Sequence, residues 1–455
     1  MELSAKIHTF ARSNCTIIRK MTIKKNLVLP FLALVLALMP TLSMAQDSNP
    51  SNLTSSPYTR YGFGKLGTVG NASTRGMGDI GIALRTNRYT NLHNPASLTA
   101  IDTLTMILDT ALDAEWFTMS ENGKREQNWN AGFSYLTMHF PLWNRFAGSI
   151  AYTPYSMVGY EYGNEMSAPV DNALITNDTL IYSNTYSGKG GLQHFQLGLG
   201  WNPIKTRTSQ LSIGVTAGYI AGTVDHSGVM YVSSGQSSST YVSRSYSCSG
   251  YDLFFGLQYT QQLAPSKHLT FGATFAPRTN ISSKVDVVKF SGRDTIGEDI
   301  TERVKLSAPM KIGAGVSYQY DRRLTISAEY SFENWSKVAG LDANLNRSND
   351  VYQDISRIAA GVEYRPVLYG QGYFKNCLYR AGISVKNSYV NSFGSQSEYS
   401  ASCGIGMPLR RSFFNLAVGY TYLKPDQSKL LKENYLHITL GITFNELMFY
   451  RDRLR

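Results

Sequence analysis

The sequence predicts an all-β fold: a closed antiparallel transmembrane β-barrel of about fourteen strands with an amino-terminal plug. Three observations point there, namely a strand-like composition, a repeated period-two apolar pattern, and an alternation of short with long connections. Thirty Tyr, twenty Phe and thirty-nine Gly accompany only 16% charged residues, a balance that favours pleated strands and turns over helices. At 455 residues the chain suits either two or three globular domains or one large barrel.

The period-two pattern runs from about residue 101 onward. Leu211, Ile213, Val215, Ala217 and Tyr219 alternate with Ser212, Gly214, Thr216 and Gly218. Leu324, Ile326, Ala328 and Tyr330 alternate with Thr325, Ser327 and Glu329, and Leu436, Ile438, Leu440 and Ile442 with His437, Thr439 and Gly441. Successive strand residues face opposite ways, so each segment has a greasy and a polar face. A soluble sandwich would show the same alternation, and the connections decide between the two. Strands are expected near 101–119, 128–142, 145–162, 190–204, 209–224, 250–264, 267–283, 308–322, 323–336, 356–367, 376–390, 398–409, 412–424 and 433–447. Connections after even-numbered strands are tight, as at Leu142-Trp143-Asn144, Pro265-Ser266-Lys267 and Asp321-Arg322. Those after odd-numbered strands are often long, as at 163–189, 225–249, 284–307 and 337–355. Periplasmic turns and extracellular loops require that alternation, and an even count returns both ends of the barrel to the periplasmic side. Phe140, Trp143, Trp201, Tyr318, Tyr320, Tyr420 and Tyr422 suit an interfacial girdle.

The beginning of the chain is expected to direct export. Lys24 and Lys25 precede the apolar run Leu27 to Leu38, and Ser43-Met44-Ala45 offers a small-residue cleavage site before Gln46. The run is shorter than the roughly 18–20 apolar residues of a spanning helix. Residues 21–45 are therefore expected to be a signal peptide, and 1–20 an upstream extension or a long charged region, with Met1 or Met21 as the start. Without residues 1–45 the formal charge falls from +11 to +6, too small an excess to imply nucleic acid. Cys15 leaves with the leader. Cys248, Cys377 and Cys403 remain, either as three free thiols or with Cys377 bridged to Cys403.

Residues 46–100 are polar and Gly-rich, with Tyr61-Gly62-Phe63-Gly64 and Gly76-Met77-Gly78, yet Ile80, Ile82 and Leu84 supply enough apolar material for an ordered plug. The segment ends in Asn91-Leu92-His93-Asn94-Pro95-Ala96-Ser97-Leu98. Here the chain resembles the FadL family of outer-membrane transporters of long-chain fatty acids and other hydrophobic compounds. The family's hatch carries an Asn-Pro-Ala motif, matched by Asn94, Pro95 and Ala96. The resemblance implies a fourteen-stranded barrel over 101–455, a hatch over 46–100, and an inward kink of the third strand that opens a lateral exit. Pro154 and Gly159 are where this sequence would place that kink, since Pro cannot donate a ladder hydrogen bond. An ordinary bulge is the alternative. The ending Phe444 to Tyr450 followed by Arg451 to Arg455 lacks a terminal aromatic residue and is similar to the basic tails of Bacteroidetes members.

Signals for catalysis or cofactors are weak. His93, His139, His194, His226, His268 and His437 are scattered singly, without metal-ligand spacing. Ser187-Gly188-Lys189-Gly190-Gly191 has phosphate-loop composition but leads into a strand, so a loop tip is expected. No motif pairs a Ser with a His base. The expectation is a non-enzyme without cofactor, partnered by outer-membrane lipid and a hydrophobic small molecule. Two function classes follow: uptake of hydrophobic compounds, and, because some FadL-like barrels serve type IX secretion, a protein-interaction component of that machinery, for which the Ser- and Tyr-rich stretch 225–249 is a candidate contact.

Overall fold

The computed structural model describes residues 54–121, 123–169, 179–233, 238–291, 294–295, 300–338, 352–368, 372–391, 396–425 and 432–447. The expectations for the leader (1–45), Cys15 and the basic tail (448–455) lie outside these residues.

Fourteen strands make the wall: β1 Thr105–Glu121, β2 Lys124–Trp143, β3 Phe146–Pro169, β4 Thr179–Lys205, β5 Ser209–Ser233, β6 Ser238–Ala264, β7 Lys267–Ala276 continuing as Thr279–Ser291, β8 Ile300–Ala308 continuing as Met310–Tyr320, β9 Leu324–Asn334, β10 Ile355–Tyr364, β11 Leu378–Asn387, β12 Gln396–Leu409, β13 Ser412–Pro425 and β14 Lys432–Leu447. The breaks in β7 and β8 fall at Pro277 and Pro309, where the missing N–H interrupts the ladder. Each strand pairs antiparallel with its neighbours in sequence, and β14 closes on β1 from Lys432↔Ser120 to Leu447↔Thr105. Closure leaves no rim of unpaired backbone along the membrane span, where each orphaned group would cost several kcal/mol.

The greasy face points outward. Ile326 and Tyr330 are 50% and 47% exposed, while Thr325, Ser327 and Glu329, on the alternate positions, are buried in the lumen. Leu436, Ile438 and Leu440 are likewise exposed, with Thr439 buried. A soluble sandwich would reverse this polarity. No helix among the described residues is long and apolar enough to cross a membrane; the strands do so. Of the girdle candidates, Trp143, Trp201, Tyr320 and Tyr420 are exposed, whereas Phe140, Tyr318 and Tyr422 are half-covered by neighbours.

The tight connections are hairpin turns. Asp321 and Arg322 both have positive φ (49° and 52°), the pattern of a two-residue turn whose twist matches its strands. The long connections differ from expectation. Much of 163–189, 225–249 and 284–307 is strand, because β3 to β8 run past the level where β9 and β10 end. Ser187 to Gly191 is therefore the middle of β4, paired on both sides, and not a loop tip. All three described cysteines are free. Cys403 lies opposite Ala381, four positions along β11 from Cys377, roughly 13 Å at strand rise and beyond disulfide reach.

Candidate functional site

Residues 54–104 fill the lumen as three short turns of helix, Pro57–Arg60, Ala72–Arg75 and Pro95–Ala100, and a two-residue strand, Lys65–Leu66. Side-chain caps start the helices: Ser56 accepts from the Tyr58 N–H, Asn71 from that of Thr74, and Asn94 from that of Ala96. Pro95 stands at the first position of its helix, where its missing N–H costs nothing. Asn94 Nδ2 also donates to the Ile82 carbonyl at 2.7 Å and to the Leu257 carbonyl of β6 at 3.2 Å. Asn94, Pro95 and Ala96 are thus brought together as the piece that caps one turn, ties back to the plug and reaches the wall.

What receives that motif escaped the sequence reading. Gly200, Gly214 and Gly256 pair side by side across β4, β5 and β6. A Cβ on Gly214 would collide with the Pro95 carbonyl, and one on Gly256 with the Asn94 side chain. A second pair, Gly361 and Gly382 of β10 and β11, leaves no room beyond the Met77 backbone. The available signal was the cross-strand alignment of lumen-facing glycines at one height, visible only once register is known.

Elsewhere the plug is held by charge. Arg88 and Arg380 both pair with Glu363, which also accepts from the Tyr89 hydroxyl. Glu329 accepts from the N–H groups of Gly81 and Ile82 at 2.8 and 3.0 Å, and Arg357 joins it to the carbonyls of Gly78 and Asp79. Arg75 pairs with Asp113, and Lys65 with Glu115, which His437 also approaches. Within the plug, His93 Nε2 lies 3.2 Å from Asp79 Oδ1. Burial pulls the His93 pKa down, but Asp79 outweighs it and the net shift is upward. Burial pushes the Asp79 carboxyl up, but His93, Arg357 and Arg75 carry it below its ordinary value.

Pro154 and Gly159 sit at an opening in the wall. The β2–β3 ladder runs from Trp143↔Phe146 only to Leu136↔Tyr152. Past that point β2 pairs only with β1, while β3 continues against β4 through a bulge between Pro154 and Ser156. Plug residues bridge the resulting seam. Lys65 and Leu66 pair with Met157 and Ser156, the Gly67 N–H donates to the Tyr155 carbonyl, and the Thr59 hydroxyl serves both the N–H and the C=O of Gly159. On the β2 side, Ser55 meets Asn128 and Asn130. The backbone groups that β3 loses on leaving β2 are thereby partly satisfied, as buried groups must be.

Two lumen environments flank the seam. A cavity of about 330 Å³ combines apolar lining, including Leu66, Phe133, Met157, Ile355 and Val390, with the charged groups of Arg75, Asp113, Glu115, Glu433 and His437. Beside it, under β3 to β8, is a packed apolar cluster of Phe63, Val158, Leu192, Ile220, Val285 and Leu306 with Trp335, Tyr352 and Tyr389. Phe63 is fully buried, 6.0 Å ring to ring from Trp335. It is held there by Tyr61-Gly62-Phe63-Gly64, whose glycines have φ of 61° and 78°, conformations open to Gly at little cost. Among the described residues no group of three or more His, Cys, Asp or Glu could hold a metal.

A closed fourteen-stranded wall, apolar outside and filled by its own amino-terminal segment, defines a plugged β-barrel of the outer-membrane type. The chain belongs to the BamG family, whose model matches residues 23–454. No curated protein matches it. Among solved structures it is similar to a Pseudomonas aeruginosa FadL homologue (12% identity over 84% of this chain and 99% of that chain, TM-score 0.54). It is also similar to the P. putida toluene transporter TodX (13%, 86% and 100%, 0.52) and to the CymD monoaromatic hydrocarbon channel (14%, 85% and 99%, 0.51). At these identities the likeness is one of fold.

Proposed function

We propose that the barrel carries hydrophobic small molecules, long-chain fatty acids among them, across the outer membrane, and that they leave the lumen sideways at the β2–β3 seam beside Pro154 and Gly159. The observation that carries this reading is an apolar lumen cluster, into which the plug inserts Phe63 with Tyr61 and Leu66 packed alongside, next to a gap in the wall bridged by plug residues. Apolar solutes cross the polar outer leaflet slowly, and burying their CH₂ groups at about 0.8 kcal/mol each lowers that barrier. In this mechanism Phe63 holds the place of the ligand. A hydrophobic chain entering the cluster displaces it, the glycines on either side take up the motion, and withdrawal of residues 55–67 opens the seam. The solved hydrocarbon and toluene transporters of the same fold support the reading by analogy.

Mass spectrometry of lipids retained by the detergent-purified protein, with and without Phe63→Ala, tests it. Retained fatty acid or hydrocarbon that increases in the variant is the expected result. Empty protein in both forms, recovered with a stoichiometric protein partner, would overturn it in favour of the secretion reading. That second reading draws on one observation, the Ser- and Tyr-rich hairpin formed by β5 and β6 on the loop side of the barrel. Such surfaces supply rigid aromatic contact with adaptable hydrogen bonding.

A further inference from the structure

At the turn end of the barrel, beneath the plug, lies a second cavity of about 620 Å³. Its lining includes six strong cations, Arg85, Arg88, Lys205, Arg207, Arg322 and Arg365, against one carboxylate, Asp102. Arg88 is committed to Glu363 and Asp102 accepts from Asn87. Lys205, Arg207 and Arg322 make no ion pair among the described residues. Arg85, at the plug face of the cavity, is held by neutral acceptors alone: Ser212 Oγ at 3.0 Å, Thr99 Oγ1 at 2.9 Å and Gln258 Oε1 at 3.4 Å. Burial pulls its pKa down to about 10, so the guanidinium stays charged at neutral pH while partly stripped of water. A desolvated cation without a counter-ion raises the affinity of the space beside it for anions.

The shape of the charge narrows the ligand. Lys205 ends β4, Arg207 belongs to the β4–β5 turn and Arg322 to the β8–β9 turn. Four strand spacings separate those turns, about 19 Å along the wall, so the cations are spread around the cavity rather than gathered at one point. The remaining lining is mostly Thr, Ser and Gln, with too little apolar surface for acyl tails. A ligand that matches is hydrophilic, extended and negatively charged at several points along its length.

We propose that this vestibule is a docking site for an acidic, Asp/Glu-rich segment of a periplasmic protein. The inference is independent of what moves through the lumen. It is tested with full-length barrel in detergent and a fluorescein-labelled Glu/Gly copeptide, read by fluorescence anisotropy. The exposed triple variant Lys205→Gln/Arg207→Gln/Arg322→Gln should bind at least about tenfold more weakly. Arg410→Gln/Arg411→Gln, on a turn outside the cavity, should bind as the parent does. The usual heat-dependent shift of a folded barrel on gels confirms that both variants fold. Absence of binding to the parent, equal loss in both variants, or displacement of the peptide by inorganic phosphate at matched charge concentration would each overturn the proposal, the last by showing a site for small anions.

Discussion

On the β9 to β11 side of the lumen the plug is tied chiefly by buried charge, Arg88 pairing with Glu363 and Glu329 and Arg357 bonding the backbone of residues 78–82, with the Gly361 and Gly382 fit against Met77 beside them. On the β4 to β6 side it is tied by fit, with Asn94, Pro95 and Ala96 pressed against glycines. Among the described residues no ion pair crosses from plug to wall on the second side. Charge and fit fail differently. Removing one member of a buried pair strands its partner without solvent, whereas adding a methyl group to a glycine contact acts by volume alone. A plug seated both ways can be released at one side while it stays registered at the other.

The largest effect should come from the charged side. Glu363→Ala leaves Arg380, only 1% exposed, without its carboxylate, a change that costs about 3–5 kcal/mol. The midpoint of the heat-induced gel shift should fall sharply, and Glu363→Gln combined with Arg380→Gln should recover most of the loss. An unchanged midpoint in the single variant would break the comparison. Gly214→Val should cost about 1–3 kcal/mol by overpacking and act on the plug before the wall. Trypsin should then cut after Arg85 and Arg88 while the barrel stays resistant. Asn94→Ala removes a cap worth about 0.5–2 kcal/mol, together with the tie to Ile82, and should speed the same cleavage to a smaller degree.

The smallest effect is a pH dependence. The pKa of His93 is raised in the fold, so its contribution is fully present below the ordinary histidine value and is lost as pH rises through the raised one. That of Asp79 is depressed, so its contribution is present above the ordinary carboxylate value and is lost as pH falls through the depressed one. The pair is therefore strongest between about pH 4 and 6.5. An NMR titration of the His93 ring should give a pKa above the ordinary histidine value that drops in Asp79→Asn. A value that ignores the substitution would remove the pair from the set of ties.

Strand number and polarity were legible because period two is strong where one face meets hydrocarbon, as in Leu324 to Tyr330. Turn positions were legible through Pro265-Ser266 and Asp321-Arg322. The extensions of β3 to β6 were not. Their Ser, Thr, Tyr and Gly residues carry little hydropathy contrast above the membrane, so a strand there reads like a loop. Asn94-Pro95-Ala96 was visible as a motif, but its receptor was not, since Gly200, Gly214 and Gly256 are more than a hundred residues from it and line up only through register. The role of Phe63 was hidden for a similar reason. Its ring neighbours Tyr155 and Trp335 lie far along the chain from it, and an isolated Phe between glycines gives no sign of what it will touch.

The last strand pairs with the first over the sixteen positions from Lys432↔Ser120 to Leu447↔Thr105. That contact spans more than three hundred residues of chain, so ring completion cannot begin until the chain is available through its last strand. Until then β1 and β14 are exposed edges of a long amphipathic sheet, the condition most prone to pairing with the wrong neighbour. Slow, non-local assembly of this kind makes the time the unclosed sheet waits for its last strand, rather than the stability of the finished ring, the step at which expression should be most easily lost.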